Sequence, residues 1–225
     1  SAPLPLTEVW SILARQLPWI GEHIGLQGAA ESSEQIVLKV RLPLVLLAIL
    51  VGMCLSLAGA GFQGVLRNPL ADPYTLGVAS GAAVGAAFLI LFDLHVALLG
   101  RWTIPIVAFA TGLISLWIVL RLANVNGKFR LETLILSGVV VSAFLGSLVS
   151  FMVSMSDTVV NEIVFWLMGS LSLRGWSFAG VLLPYLAVGV AVLLLYSRDL
   201  NLFALGERQA AHLGIRVQRT RLVVL

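Results

Sequence analysis

Few residues in this chain could do chemistry, and those few are scattered. The three histidines, His23, His95 and His212, stand far apart, with no HExxH pair or other ligand cluster around them. Cys54 is the single cysteine and lies in an apolar run, so it forms no intrachain disulfide and reads as a small packing residue. The one Gly-Lys pair, Gly127-Lys128, is followed by Phe129, where a phosphate-binding loop needs Ser or Thr. The long apolar stretches hold no Asp, Glu or His. That argues against the paired acids of intramembrane hydrolysis and against the ionisable groups on which ion-coupled secondary carriers rely. Neither an enzyme nor a metal or cofactor in this chain is expected. Uphill movement of a solute would need a nucleotide held by another subunit.

The most informative polar segment is Arg198–Arg221, RDLNLFALGERQAAHLGIRVQRTR. Asp199 or Asn201 can cap a short helix and Gly206 can break it; Glu207–Leu213 then forms a second short helix, ended by Gly214. The spacing predicts two helical turns lying flat beneath a membrane. They are either an ordinary helical loop or a docking element that a cytoplasmic partner pushes against.

The elements that must carry these residues are dictated by hydropathy. Apolar residues make up 59% of the 225 and charged ones 11%, and the mean hydropathy is +1.01. A soluble domain carries about 25% charge, because its core must be covered by polar surface. Five charge-free stretches, Leu42–Leu66, Pro73–Phe92, Trp102–Leu120, Thr133–Ser156 and Gly175–Ser197, approach the roughly 20 residues that cross about 30 Å of hydrocarbon as a helix. In lipid the backbone must satisfy itself within the segment, so these are helices. A sixth is expected to start near Leu222. The fold class is therefore all-α, a polytopic transmembrane helical bundle of about five complete spans with short re-entrant and cytoplasmic coupling helices. The whole of residues 1–225 reads as one membrane domain, with residues 1–40 outside and 198–221 inside.

That orientation comes from Lys and Arg. Alternate connections hold five on one side (Arg15, Lys39, Arg41, Arg101, Arg174) and nine on the other (Arg67, Arg121, Lys128, Arg130, Arg198, Arg208, Arg216, Arg219, Arg221). The richer side faces the cytoplasm. The basic residues form no runs and no aromatics interleave with them, so nucleic acid is not an expected partner. Thr7–Leu17 places Trp10, Leu13 and Leu17 on one face of an interfacial helix stopped by Pro18, with Trp19 beyond it, and Ile163–Leu173 is apolar but too short to span. Gly77, Gly81 and Gly85 share one helical face, as do Gly138, Ser142 and Gly146. Such small faces let helices approach closely in lipid, or line a pathway.

Several of these segments resemble a known family. ALGERQAAHLGI is similar to the coupling segment of FecCD-type permeases, the membrane subunits of binding-protein-dependent ABC importers for iron siderophores, haem and cobalamin. RLPLVLLAILVG, then LAGAGFQGVLRNPLADPYTLGVASGA, resembles that family's second and third spans and the loop between them, and FWLMGSL its short helix after the fifth span. The resemblance runs in order from about Val37 to Leu225. It implies a ten-span subunit working as a homodimer, of which this chain would supply spans two to six and the start of a seventh. A span before Ser1 and further spans after Arg221 are then expected. It also implies two cytoplasmic ATPase subunits that hold ATP-Mg, an extracytoplasmic solute-binding protein, and a place in the bacterial cytoplasmic (inner) membrane.

The resemblance assigns residues as well. Arg41 would pair with a carboxylate of the binding protein, although Leu44 stands where the family often has a second arginine. Asn68, Pro69 and Leu70 would narrow the cytoplasmic end of the pathway, and Ser156 would lie near the outer constriction. The other half of the inner constriction, near Leu131–Thr133, matches poorly. Gly206, Glu207, Ala210, Leu213 and Gly214 would meet the ATPase. The implied cargo is an iron chelate of the siderophore type, with haem or cobalamin as alternatives and an ion-coupled carrier as the rival class.

Overall fold

The computed structural model describes residues 4–16, 31–94, 99–125, 128–156, 158–172 and 174–225. The expectations on Leu17, Pro18, Trp19, His23 and His95 lie outside these residues.

Helices dominate, in the order α1 (Leu6–Arg15), α2 (Glu31–Leu66), α3 (Val78–Leu91), α4 (Thr103–Ala123), α5 (Leu131–Met155), α6 (Val160–Met168), α7 (Gly175–Phe203), α8 (Glu207–His212) and α9 (Val217–Val224). The one non-helical ladder among the described residues is a short antiparallel pairing, with Asn124 opposite Phe129 and Val125 opposite Lys128. Among the described residues, four helices, α2, α4, α5 and α7, are long and apolar enough to cross a membrane. The expected span Pro73–Phe92 is built in two pieces, a 3-10 turn over Pro73–Leu76 and then α3 of 14 residues. Asp72 starts the turn by accepting the Tyr74 N–H on its Oδ1 at 2.8 Å. Gly77 then reverses the backbone at φ +76°, a conformation that costs a side-chain-bearing residue far more than glycine.

Two compact units emerge. The first comprises Ser1–Leu55 with Leu171–Val190. Its buried residues include Ile12, Val37, Leu47 and Ala179. Ile12 is the buried residue of α1, and Trp10 is exposed. Helix α2 starts at Glu31, eleven residues before the apolar stretch, and passes through a π-helical segment, Val37–Arg41. Trp176 Nε1 donates to the Leu38 carbonyl of that segment at 3.1 Å. Short π segments of this kind recur at functional positions.

The second unit comprises Ser56–Ser170 with Ala191–Leu225. Its main core gathers Phe62, Leu66, Leu76, Val119, Ala123, Leu134 and Val141, so the ends of α2, α4 and α5 close around the 3-10 turn. A smaller cluster sets Ile163 of α6 against Ala87 and Ile90 of α3. Hydrocarbon gives apolar side chains no reason to leave lipid, so close backbone approach must hold the helices together. The glycines supply it. A Cβ on Gly81 would lie 2.5 Å from Ser115 Cβ and 2.8 Å from the Thr111 carbonyl oxygen, and one on Gly138 would run into the Thr75 carbonyl. Ser115 Oγ donates to the Gly77 carbonyl at 2.9 Å inside the same contact. The stripes are thus packing faces at these positions. Gly146 is different: nothing lies within 4 Å of where its Cβ would be.

Two boundaries depart from expectation. The chain from Ser197 to Phe203 does not form a separate flat helix but continues α7, because no breaker separates it from the span and Asp199 and Asn201 sit on the helix instead of capping one. The last helix begins at Val217, not near Leu222, and carries Arg219 and Arg221 within it.

Candidate coupling and gating site

Three sets of expected residues fall on three kinds of local structure. The first is the loop after α2. Arg67 has φ +51°, and the Asn68 N–H donates to the Gln63 carbonyl at 3.3 Å. This is the closure of a helix end by a left-handed residue, a place usually given to glycine. Asn68 Oδ1 then accepts the Leu70 N–H at 2.9 Å, and the Asn68 carbonyl accepts the Ala71 N–H at 3.0 Å. Pro69 fixes one more dihedral between them. The loop is therefore held by its own bonds, and it presents Leu70 at 87% exposure.

The second set is the segment after α7. Phe203 is buried, and the Gly206 N–H donates to its carbonyl at 3.0 Å. Gly206 has φ +108° and precedes α8, a helix of only 6 residues. Gly214, at φ +87°, follows it. The Ile215 N–H reaches back to the Ala210 carbonyl at 3.1 Å and the Gly214 N–H to the Ala211 carbonyl at 3.0 Å, which satisfies the last carbonyls of the helix. The result is a short helix bounded by two residues in conformations that only glycine adopts readily. Ala210 is fully buried, whereas Leu213 is 59% exposed. Of the expected contact set, Ala210 anchors the helix to its own chain and Leu213 is offered outward. Glu207 opens α8.

Two further features of this segment carry no signal in the sequence. Thr220 Oγ1 donates to Asp199 Oδ2 at 2.7 Å, across 21 residues, which ties the end of α7 to the start of α9. Arg67 also comes close: its Nη1 lies 4.0 Å from where a Cβ on Gly206 would stand. A cavity of about 530 Å³ lies beside it, lined by Gln63, Gly64, Arg67, Ser197 and Asn201 among others. The loop of Asn68–Leu70 and the segment of Gly206–Gly214 are thus neighbours through Arg67. No motif marks these partners, because the pairing is long-range and uses common residue types.

Ser156 belongs elsewhere. It caps α5 at its far end, and α5 begins at Leu131, beside the core that contains Leu76. Twenty-five helical residues separate the two ends by about 37 Å. Ser156 is buried, and its Oγ has no hydrogen-bond partner among the described residues. Arg41, in the first unit, closes the π segment of α2 and is half-buried.

The short, glycine-bounded α8 thus lies between α7 and α9, and Arg67 brings the loop of Asn68–Leu70 beside its start. The profile of the FecCD transport family matches residues 1–225. The chain belongs to the FecCD transport family. Among FecCD relatives, it is 41% identical over 208 residues to the uncharacterized ABC transporter permease protein YvrB of Bacillus subtilis, covering 90% of this chain and 59% of that protein. It is 39% identical over 224 residues to the cobalamin import system permease protein BtuC of Halobacterium salinarum, covering 97% of this chain and 60% of the relative. The Fe(3+) dicitrate transport system permease protein FecD of Escherichia coli is 39% identical over 189 residues, 83% of this chain and 57% of that one. The chain thus spans less than two thirds of the length of each of these relatives. A solved ABC transporter described as of metal-chelate type, in an inward-facing conformation, superposes with a TM-score of 0.78 at 29% identity, over 97% of this chain and 69% of that one. With four helices able to cross a membrane, this FecCD member is a multi-pass protein of the inner membrane.

Proposed function

We propose that this chain forms the translocation part of an ATP-driven importer, and that it carries an iron chelate of the siderophore type handed over by a solute-binding protein. The observation that carries the reading is α8, the six-residue helix held between Gly206 and Gly214 with Ala210 buried and Leu213 exposed. A helix mounted in this way moves as a unit when a partner pushes it. Its inner face and the Asp199–Thr220 bond pass that motion to α7 and α9. Arg67 links the same segment to the loop of Asn68, Pro69 and Leu70, so an exposed leucine at the inner end of the pathway follows the coupling helix.

The remaining roles follow from the family. Two cytoplasmic ATPases would bind ATP-Mg and contact Glu207, Leu213 and the flanking glycines. A second copy of the permease would complete the pathway. Arg41 would receive a carboxylate of the binding protein, a charge-assisted bond that favours orientation and on-rate. The cobalamin relative, aligned over nearly the whole chain, supports cobalamin as the alternative cargo.

Proteoliposomes containing the permease, its ATPase and its binding protein test the reading. ATP-dependent accumulation of a radiolabelled ferric siderophore, competed by neither haem nor cobalamin, is the expected result. Accumulation driven by an ion gradient without the ATPase would overturn the mechanism; ATP-dependent uptake of cobalamin alone would overturn the cargo.

A further inference from the structure

The turn from α7 through α8 into α9 encloses a second concavity, of about 390 Å³, whose lining includes Tyr196, Arg198, Asp199, Arg216, Arg219 and Thr220. Three arginines therefore line one hollow, although their positions in the sequence are 18 and 3 residues apart. Asp199 is the only acid among the lining residues, and its Oδ2 already accepts from Thr220 Oγ1. Three positive charges less one negative leave the hollow at +2. None of the three arginines is needed for the core: all are exposed.

Position says what such a hollow would meet. Leu194 and Leu195, one turn earlier on α7, are 68% and 80% exposed, as lipid-facing side chains are. Tyr196 follows them, an amphipathic ring at the level where tyrosine is enriched, and then the first charge, Arg198. The hollow thus sits at the end of a span, where hydrocarbon gives way to headgroups. Guanidinium is planar, stays charged and matches the oxygen geometry of phosphate bidentately. Basic pockets at the cytoplasmic ends of membrane helices suit anionic headgroups.

We propose that Arg198, Arg216 and Arg219 form a headgroup site for an anionic phospholipid, which they hold by its phosphodiester while its acyl chains follow the exposed apolar face of α7. The site requires only that the chain be embedded in a membrane, so it stands or falls separately from the importer reading.

The test is lipid retention by the purified protein, measured by native mass spectrometry after exchange into mixed micelles of phosphatidylglycerol and phosphatidylcholine. The wild type is expected to favour phosphatidylglycerol by at least about tenfold. R198Q/R216Q/R219Q is expected to lose that preference, R198K/R216K/R219K to keep part of it, and R121Q, an exposed arginine outside the hollow, to keep all of it. The lysine triple guards against misfolding, since it preserves charge while removing the bidentate fork. Equal retention of the two lipids by the wild type overturns the proposal, as does an unchanged preference in the glutamine triple. Saturable binding of inorganic phosphate without lipid retention would assign the arginines to a free anion and also overturn it. So would loss of ATPase association in the glutamine triple with lipid retention intact, which would assign them to a protein partner.

Discussion

Two glycines of α5 look alike in sequence and should behave oppositely. Gly138 and Gly146 sit two turns apart on one small-residue face. A Cβ on Gly138 would collide with the Thr75 carbonyl oxygen and lie 3.1 Å from Leu76 Cα. Both obstacles are backbone, so no rotamer change relieves them, and the 3-10 turn that seats Leu76 in the core must shift. Overpacking of this kind costs about 1–3 kcal/mol. Gly146→Ala meets nothing within 4 Å, and it removes the helical penalty of glycine, roughly 0.5–1 kcal/mol. With a conversion of about 2–4 °C per kcal/mol for a protein of this size, Gly138→Ala should lower the unfolding midpoint by roughly 2–12 °C and Gly146→Ala should hold or raise it. Thermal unfolding in detergent, followed by size-exclusion fluorescence, measures both. Equal destabilisation by the two substitutions would refute the close approach of α5 to the 3-10 turn as the source of the difference, and so would a neutral Gly138→Ala.

Three further perturbations read the candidate site. Thr220→Val removes the bond to Asp199 and should weaken the joint between α7 and α9 by about 1–3 kcal/mol, while Thr220→Ser restores it; the expected signature is faster amide exchange at the start of α9 and ATP hydrolysis poorly matched to uptake. Leu213→Asp, at an exposed position, should leave the midpoint within about 0.5 kcal/mol of wild type yet reduce ATPase association in pull-downs by about tenfold or more; unchanged association would remove Leu213 from the contact. Asn68→Ala deletes the acceptor for the Leu70 N–H and should raise passive leak of cargo from loaded vesicles, with Asn68→Asp, which keeps an acceptor, near wild type.

Much of the fold is written in hydropathy, and the rest shows what hydropathy leaves out. It marks where lipid begins, not where a helix begins. Thus α4 and α5 start within two residues of their apolar stretches, while α2 starts eleven residues early through Glu31–Arg41 and α7 runs six residues on through Arg198, Asp199 and Asn201. Polar residues propagate a helix readily once a span has nucleated it. The same effect hides the start of α9, whose first turns carry Arg219 and Arg221. Glycine is legible where it breaks a helix, as at Gly206 and Gly214, because a left-handed backbone position has a residue preference. It is not legible where it packs, because Gly138 and Gly146 differ only in what the rest of the chain brings to them. The Asp199–Thr220 bond and the gathering of three arginines depend on the same long-range closure, which no local pattern records.

Arg67 closes α2 in the left-handed region, where glycine would sit without strain. Each such placement costs an L-residue roughly 1–2 kcal/mol. A glycine at position 67 would relieve that backbone cost, and it would remove the side chain that stands beside Gly206. Local stability is given up here where a side chain stands between the loop of Asn68–Leu70 and the start of α8. Screening for thermostable variants would select against that side chain, and under the proposed function a variant improved in this way would keep its fold while losing the link between hydrolysis and passage.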